Sequence, residues 1–164
     1  MENISKNITY GEAVSSATAK SRGISNIPNE TILKSMKYVA ENIFEKVREH
    51  FKKPIKITSF YRSSKLNVAV GGSKTSQHCS GEAIDMDGDV YGSPSNKEIF
   101  EFIRDNLEFD QLIVEGIHDF NMDWVHCSLK KSNNKKQILL MFKNKDNKSV
   151  YEKYSLERYN ELIK

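Results

Sequence analysis

The chain has 164 residues, of which 38% are apolar and 29% charged, a composition typical of one soluble domain around one hydrophobic core. Its formal net charge of +3, from 25 basic and 22 acidic residues, is too balanced to indicate a nucleic-acid partner. No apolar run reaches the roughly 20 residues of a membrane span, and the polar N-terminus lacks the apolar segment of a secretory signal. We therefore predict a single domain over residues 1–164, made in the cytoplasm without a signal peptide and with no membrane contact.

Five segments have helical patterns, and in chain order they are 11–23, 25–51, 63–72, 93–107 and 155–164. Gly23 closes the first, and Pro54 follows the end of the second, which has the clearest apolar periodicity. Ser95 and Glu98 have the spacing of a capping box at the start of the fourth. These signals predict where each helix begins or ends.

Five further segments have strand patterns, and they are 55–61, 82–86, 109–115, 123–129 and 137–143. One lysine- and asparagine-rich segment lies between the last two of these strands and another follows the last strand, and both are predicted to be solvated loops. Helices come first, and most strands then follow one another through short connections. This order favours an α+β fold with a largely antiparallel sheet core and helices packed on it.

The segment TSQHCSGEAIDMDGD, residues 75–89, concentrates groups that bind metals. His78 and Asp85 would face opposite ways on one regular strand, because side chains alternate with a period of two. Gly81 lies between them and permits a turn that brings both side chains to one point. His126 is a third candidate ligand. Two histidines, one carboxylate and an open position are typical of catalytic zinc, although the same set can bind other divalent metals. We predict one metal ion per chain and expect it to be zinc.

Two motifs follow one another, SxHxxGxxxD at 76–85 and DxxH at 123–126. With the blocks ITSFYRSSKLNVAVGG and FDQLIVE, they resemble the M15 family of zinc peptidases, which contains D-Ala-D-Ala carboxypeptidases and L-alanyl-D-glutamate endopeptidases. The chain is most similar to compact members from bacteriophages and prophages, and the resemblance covers about 54–129. It implies a fold of the hedgehog and D-Ala-D-Ala-peptidase type.

The resemblance also implies roles for individual residues. The implied zinc ligands are His78, Asp85 and His126. Asp123 takes the place of the acidic general base, and Arg62 matches an arginine that binds the substrate or steadies the transition state. The implied substrate-binding residues are Ser76, Arg62 and Trp124; Trp124 has an alternative role in core packing.

The residue types fit this chemistry without the family. A carboxylate beside an activated water accepts its proton and returns it to the leaving amine, which suits Asp123. A developing oxyanion needs a positive partner, and the guanidinium of Arg62 offers a fixed charge and a rigid fork of donors.

The proposed role of Asp123 imposes a condition on the strand that contains it. On a regular strand Asp123 would point away from His126, so the strand must begin irregularly near Asp123.

Other titratable residues receive structural interpretations. His50 and His118 are expected to be structural, although His118 is close enough in sequence to act as a proton donor. Asp87 and Asp89 belong to a turn and not to an EF-hand, because Asn96 stands where the twelfth, glutamate position would be. Glu115 either orients a ligand histidine or lies on the surface.

Cys79 and Cys127 are expected to be free thiols, with Cys127 in the core, although a disulfide between them is an alternative.

The leading hypothesis is a monomeric zinc peptidase that cleaves peptidoglycan stem peptides at the bacterial cell wall, after phage-type release or virion delivery. One alternative is a cysteine peptidase of the wall with Cys79 or Cys127 as nucleophile. Another is a non-catalytic peptidoglycan-binding module of the same fold. The bond that is cut, D,D-carboxypeptidase or L-alanyl-D-glutamate endopeptidase type, depends on loops that the sequence does not define.

Overall fold

The computed structural model describes residues 2–164 and has the predicted α+β fold, a six-stranded sheet with helices packed on it. The strands are β1 Lys56–Ser59, β2 Ala83–Asp87, β3 Gln111–Glu115, β4 Trp124–Ser128, β5 Gln137–Lys143 and β6 Ser149–Lys153. Their order in the sheet is β1-β2-β4-β3-β5-β6. Neighbours are antiparallel except β3 and β5, which are parallel.

The helices are α1 Tyr10–Ala13, α2 Ala17–Ser21, α3 Glu30–Val39, α4 Glu45–Phe51, α5 Ser64–Ala69, α6 Asn96–Asn106 and α7 Leu156–Leu162. A π-helical turn, Ala40–Phe44, joins α3 and α4 into the long helix that the sequence predicted. Four apolar residues of this helix are fully buried, namely Met36, Val39, Ile43 and Val47. None of the helices described over 2–164 is long and apolar enough to cross a membrane.

Two local predictions were wrong. The segment 11–23 forms two helices, because the Ser16 side chain accepts a hydrogen bond from the Ala19 N–H and starts a new helix. Strand β6 was not predicted, since 149–153 (SVYEK) has no regular alternation of apolar and polar residues and only one of its edges is paired. The capping box of Ser95 and Glu98 at the start of α6 is confirmed.

Alternation along the strands gives the sheet two faces. One face packs against the helices and includes the buried residues Ile84, Met86, Leu112, Val114, Val125, Cys127 and Leu140. The opposite face, here called the site face, carries the intervening residues, among them Asp85, His126 and Glu115. Side chains of opposed partners share a face, so residues on neighbouring strands meet there. The polar residues of the predicted site are thereby separated from the apolar core.

The connection from β4 to β5 crosses the end of β3, and the buried carboxylate of Asp110 holds it in place. Its Oδ1 accepts hydrogen bonds from the Lys130 ammonium at 2.9 Å and from the Lys135 backbone N–H at 3.0 Å. Its Oδ2 accepts one from the Gln77 amide at 3.0 Å. Asp110 therefore joins the crossover to the turn that precedes β2.

Candidate active site

Asp85 and His126 are directly opposed partners on the antiparallel strands β2 and β4. Both are buried, and the His126 Nδ1 lies 2.8 Å from the Asp85 Oδ1. Their sequence neighbours Ile84 and Val125 point into the core. Because successive side chains on a strand point to opposite faces, Asp85 and His126 point to the site face. The ladder between two central strands fixes their separation.

His78 reaches the same point from a 3₁₀ turn, Gln77–Ser80, that precedes β2. Gly81 ends this turn in the left-handed conformation with φ of 71°, and a Cβ there would collide with the backbone and side chain of Ile32. The predicted role of Gly81 is thus confirmed. The His78 Nε2 lies 3.2 Å from the Asp85 Oδ2.

These three residues fit a metal. Ligand atoms of His78, Asp85 and His126 all lie within 4.8 Å of one another, and all three residues are buried. The His78 Nδ1 lies 2.6 Å from the Phe60 carbonyl, which places the ring proton on Nδ1. The His78 Nε2 is buried and makes no hydrogen bond within 2–164. A buried lone pair without a donor suits a metal ligand.

Burial and mutual charge set the protonation of this cluster. Burial lowers the pKa of His78, which favours the neutral imidazole that a metal requires. Burial opposes ionisation of Asp85, but electrostatic attraction to His78 and His126, together with the hydrogen bond from His126, outweighs it and holds the pKa of that carboxyl well below its usual range. The cluster is therefore an ionised carboxylate between two imidazoles.

Asp123 lies just before β4, which begins at Trp124, so the predicted irregular strand start is confirmed. Its backbone N–H donates to the Glu115 carbonyl at 2.9 Å. Its Oδ1 lies 2.9 Å from the His118 Nε2, and its side chain is 44% exposed. Asp123 does not belong to the cluster of ligand atoms. It is an accessible carboxylate at the start of the strand that carries His126, and a proton acceptor must be accessible.

Two residues that sequence reasoning missed hold Asp123 in place. Gly116 has φ of 70°, and a Cβ at this position would overlap the Asp123 carboxylate. Asn96, which is 1% exposed, donates its amide to the Asp123 carbonyl at 3.0 Å and accepts from the Gly88 N–H at 2.8 Å. Its sequence position, the first residue of α6, gives no signal of this contact with a segment 27 residues away.

The Asn96 amide also lies 3.1 Å from the Asp87 Oδ1 and 3.0 Å from the Asp89 Oδ2. The Asp89 backbone N–H donates to the Asp87 side chain as well. Asp87, the last residue of β2, and Asp89 thus enclose a turn, as the sequence predicted, and Asn96 anchors this turn by a contact that was not predicted.

Arg62 follows β1 and is half-buried. Its Nε is buried without a hydrogen-bond partner, and within 2–164 Arg62 forms no ion pair. Its backbone N–H donates to the His78 carbonyl at 3.2 Å, so Arg62 lies next to this candidate ligand, and its positive charge adds to burial in lowering the pKa of His78. An unpaired cation in this position is suited to an anionic part of a substrate.

Trp124 and Glu115 are opposed partners on the site face, and the indole N–H donates to the Glu115 Oε2 at 2.9 Å. Burial, and then the charge of Asp85, raises the pKa of Glu115. Glu115 is half-buried and its hydrogen bond goes to Trp124 and not to a ligand histidine, so neither of its two predicted roles is confirmed. Trp124 lies on the site face and not in the core. Ser76 begins the 3₁₀ turn and its carbonyl accepts from the Cys79 N–H, which places it next to His78.

The remaining candidates take structural positions. Both cysteines are free thiols, and Cys127 is on the core face, where burial raises its pKa. Such a thiol is a poor nucleophile, and the cysteine-peptidase alternative loses support for Cys127. His50 stacks on Phe102 with ring centroids 4.1 Å apart, as a structural residue would. His118, expected to be structural, instead contacts the candidate base.

A family model described as Peptidase M15 matches residues 6–128, three quarters of the chain. No curated protein matches the sequence. The matched range contains every element that holds the buried cluster, together with Arg62 and Asp123, and it ends at the last residue of β4. On this evidence the chain belongs to the M15 family of peptidases.

Proposed function

We propose that this protein is a zinc peptidase that hydrolyses peptide bonds in peptidoglycan stem peptides and acts at the bacterial cell wall, as a phage-type endolysin does. The observation that carries the proposal is the buried group His78, Asp85 and His126, with an accessible carboxylate, Asp123, at the start of the strand that carries His126. Membership of the M15 family supports peptidase activity and zinc as the metal. The wall substrate rests on the resemblance to compact phage members.

The residues divide the chemistry between them. Zinc bound by the cluster would supply Lewis acidity and would lower the pKa of a water molecule bound to it to about 7. Asp123 accepts the proton of the attacking water and delivers it to the leaving amine, a role that its 44% exposed side chain permits. Arg62, which has no ion pair within 2–164, faces the negative charge that develops on the carbonyl oxygen or a substrate carboxylate. Ser76 and Trp124 flank the substrate.

The first experiment measures release of amino groups from purified peptidoglycan by the zinc-loaded protein. We expect release to stop with a chelator and to return with zinc, and mass spectrometry of the fragments identifies the bond that is cut. The protein is expected to work as a monomer, which sedimentation during the same assay tests. No release from several wall types by the zinc-loaded protein would contradict the proposed substrate.

Asp123→Asn tests the mechanism. We expect zinc content to be unchanged and the rate to fall by about 10²–10⁴, the usual contribution of a general base. Asp119→Asn is the matched control, because Asp119 lies on the same hairpin with a 99% exposed side chain and also contacts His118, at 3.6 Å. Full activity of Asp123→Asn would show that another group takes the proton, and would favour a different mechanism.

A further inference from the structure

The site face continues beyond the metal-binding cluster to the far edge of the sheet. Consecutive partners across five strands form one row, Asp85, His126, Ile113, Leu139 and Lys153. Because opposed partners project to the same face, the row leads directly from the cluster to β6. Neighbouring strands are about 4.8 Å apart, so Lys153 lies roughly 14 Å from His126 along the row.

The middle of this row is apolar, and its far end is cationic. Ile113 is buried and Leu139 half-buried, and neither belongs to the core on the other face. Tyr151, two residues before Lys153, shares this face and is 51% exposed. Tyr151 is the strand partner of Met141, which is buried and lies two residues after Leu139 on the same face. A surface with an aromatic side chain thus connects the cluster and β6.

A cleft of about 550 Å³ opens where β5 begins and β6 ends. Its lining contains no acidic residue and consists of Lys135, Lys136, Gln137, Ile138, Leu139, Lys153 and Tyr154. Lys136 is paired with Glu108 at 2.7 Å. Lys135 and Lys153 form no ion pair among the residues of 2–164. The cleft therefore has two free ammonium groups and one neutralised one.

We propose that this cleft is an accessory substrate site that binds a carboxylate of the peptide substrate several residues from the bond that is cut. The inference rests on the proposed function. An extended peptide advances about 3.3 Å per residue, so roughly four residues span the distance from the cluster to Lys153. Stem peptides carry free carboxylates on their side chains and ends. Lys135 and Lys153 provide the complementary charge, and Leu139 and Tyr151 provide the surface along which the peptide lies.

This site would affect binding and not the chemical step, because it lies far from the reacting bond. The test is the double charge reversal Lys135→Glu with Lys153→Glu, assayed on soluble peptidoglycan fragments that have intact stem peptides. We expect KM to rise about tenfold and kcat to stay within about twofold of its original value. The variant loses two exposed ion pairs with the substrate, and the new glutamates repel its carboxylate. The difference should shrink as salt is raised.

Lys145→Glu with Lys148→Glu is the matched control, because both residues are exposed and lie in the turn at the opposite end of the β5–β6 hairpin. It changes the net charge equally and should leave KM unaltered. Tyr151→Ala is a second variant, expected to raise KM about threefold, paired with Val150→Ala on the other face of the same strand. Unchanged melting temperature and zinc content establish that each variant is folded.

The outcomes separate the two proposals. If the unmodified protein cleaves the fragments and the Lys135/Lys153 variant has an unchanged KM, the accessory site is overturned and the peptidase stands. If both charge reversals raise KM equally, only net charge matters and the cleft is not a site. If the unmodified protein cleaves no wall fragment with zinc bound, the proposed function fails and the accessory site fails with it.

Discussion

The site contains two histidine–aspartate pairs that have the same chemical groups at nearly the same separation but opposite surroundings. His126 and Asp85, the sheet pair, are 2.8 Å apart and buried on two central strands. His118 and Asp123, the hairpin pair, are 2.9 Å apart, with side chains 59% and 44% exposed, on the connection between β3 and β4. A carboxylate and an imidazole buried away from solvent are suited to metal ligation, whereas an exposed carboxylate can exchange protons with solvent.

The side chains of the two pairs are held in place by different interactions. Backbone ladders on both sides of β4 hold the sheet pair. The hairpin pair relies on individual contacts instead, namely the space at Gly116 and the amide of Asn96. Substitutions should therefore separate metal binding from catalysis, and the following predictions run from the largest expected effect to the smallest.

Asp85→Ala should break the sheet pair. It removes a candidate ligand and leaves two buried imidazoles facing each other. Loss of a residue that only hydrogen-bonds a ligand lowers metal affinity by up to roughly 100-fold, so loss of Asp85 itself should lower zinc affinity by more than that. Competition with a chromogenic chelator measures this. Asp105→Ala, on the exposed side of α6, is the control. Zinc binding as tight as in the unmodified protein would remove Asp85 from the ligand set.

Gly116→Ala should disturb the hairpin pair and leave the sheet pair intact. The added Cβ overlaps the Asp123 carboxylate, and displacement of a catalytic group by about 1 Å can cost about 100-fold in rate. Zinc affinity should not change. Gly23→Ala is a close control, because Gly23 has φ of 60° and open space around it, so it imposes similar backbone strain without a clash. Equal losses in both variants would mean that strain, and not Asp123, is responsible.

Asn96→Ala should loosen the backbone of Asp123. Loss of a buried amide costs about 1–3 kcal/mol of stability, and kcat should fall roughly tenfold with KM and zinc content unchanged. Hydrogen exchange of the Asp123 amide, which donates to the Glu115 carbonyl, should become faster. Asn106→Ala is the control, since its amide bonds only the Phe102 carbonyl of its own helix. An unaltered exchange rate at Asp123 would contradict the anchoring role.

The smallest effect concerns pH. The hydrogen bond with Asp123, and then its charge, raises the pKa of His118 above the ordinary 6.5. The contact therefore stabilises the fold fully below pH 6.5, and this contribution is lost as pH rises through the raised value. NMR titration of the His118 ring should give a midpoint above 6.5, and Asp123→Asn should return it toward 6.5. A midpoint that Asp123→Asn does not move would mean that the pair is not formed in solution.

The sequence predicted the sheet pair more completely than the hairpin pair, for physical reasons. Strand alternation and a turn glycine are local signals, and they correctly brought His78, Asp85 and His126 together. The irregular start of β4 at Asp123 also followed from alternation.

Contacts between distant segments left no such signal. Asn96 has the sequence context of an ordinary first helical residue, and its partner Asp123 is 27 residues away. The contact of His118 with Asp123 depends on the shape of a short connection between strands, which composition does not encode. Strand β6 and the parallel pairing of β5 with β3 arise from tertiary packing, so strand propensity alone did not reveal them.

The contacts of Asp110 have a consequence for cutting the protein into smaller pieces. A fragment that ended at Ser128, where the family match ends, would lose both Lys130 and Lys135. Asp110 would keep only Gln77 among these partners, next to the turn that presents His78. An expression boundary chosen from the family match alone would thus release a restraint on one of the three candidate metal ligands, although the cut lies beyond all three.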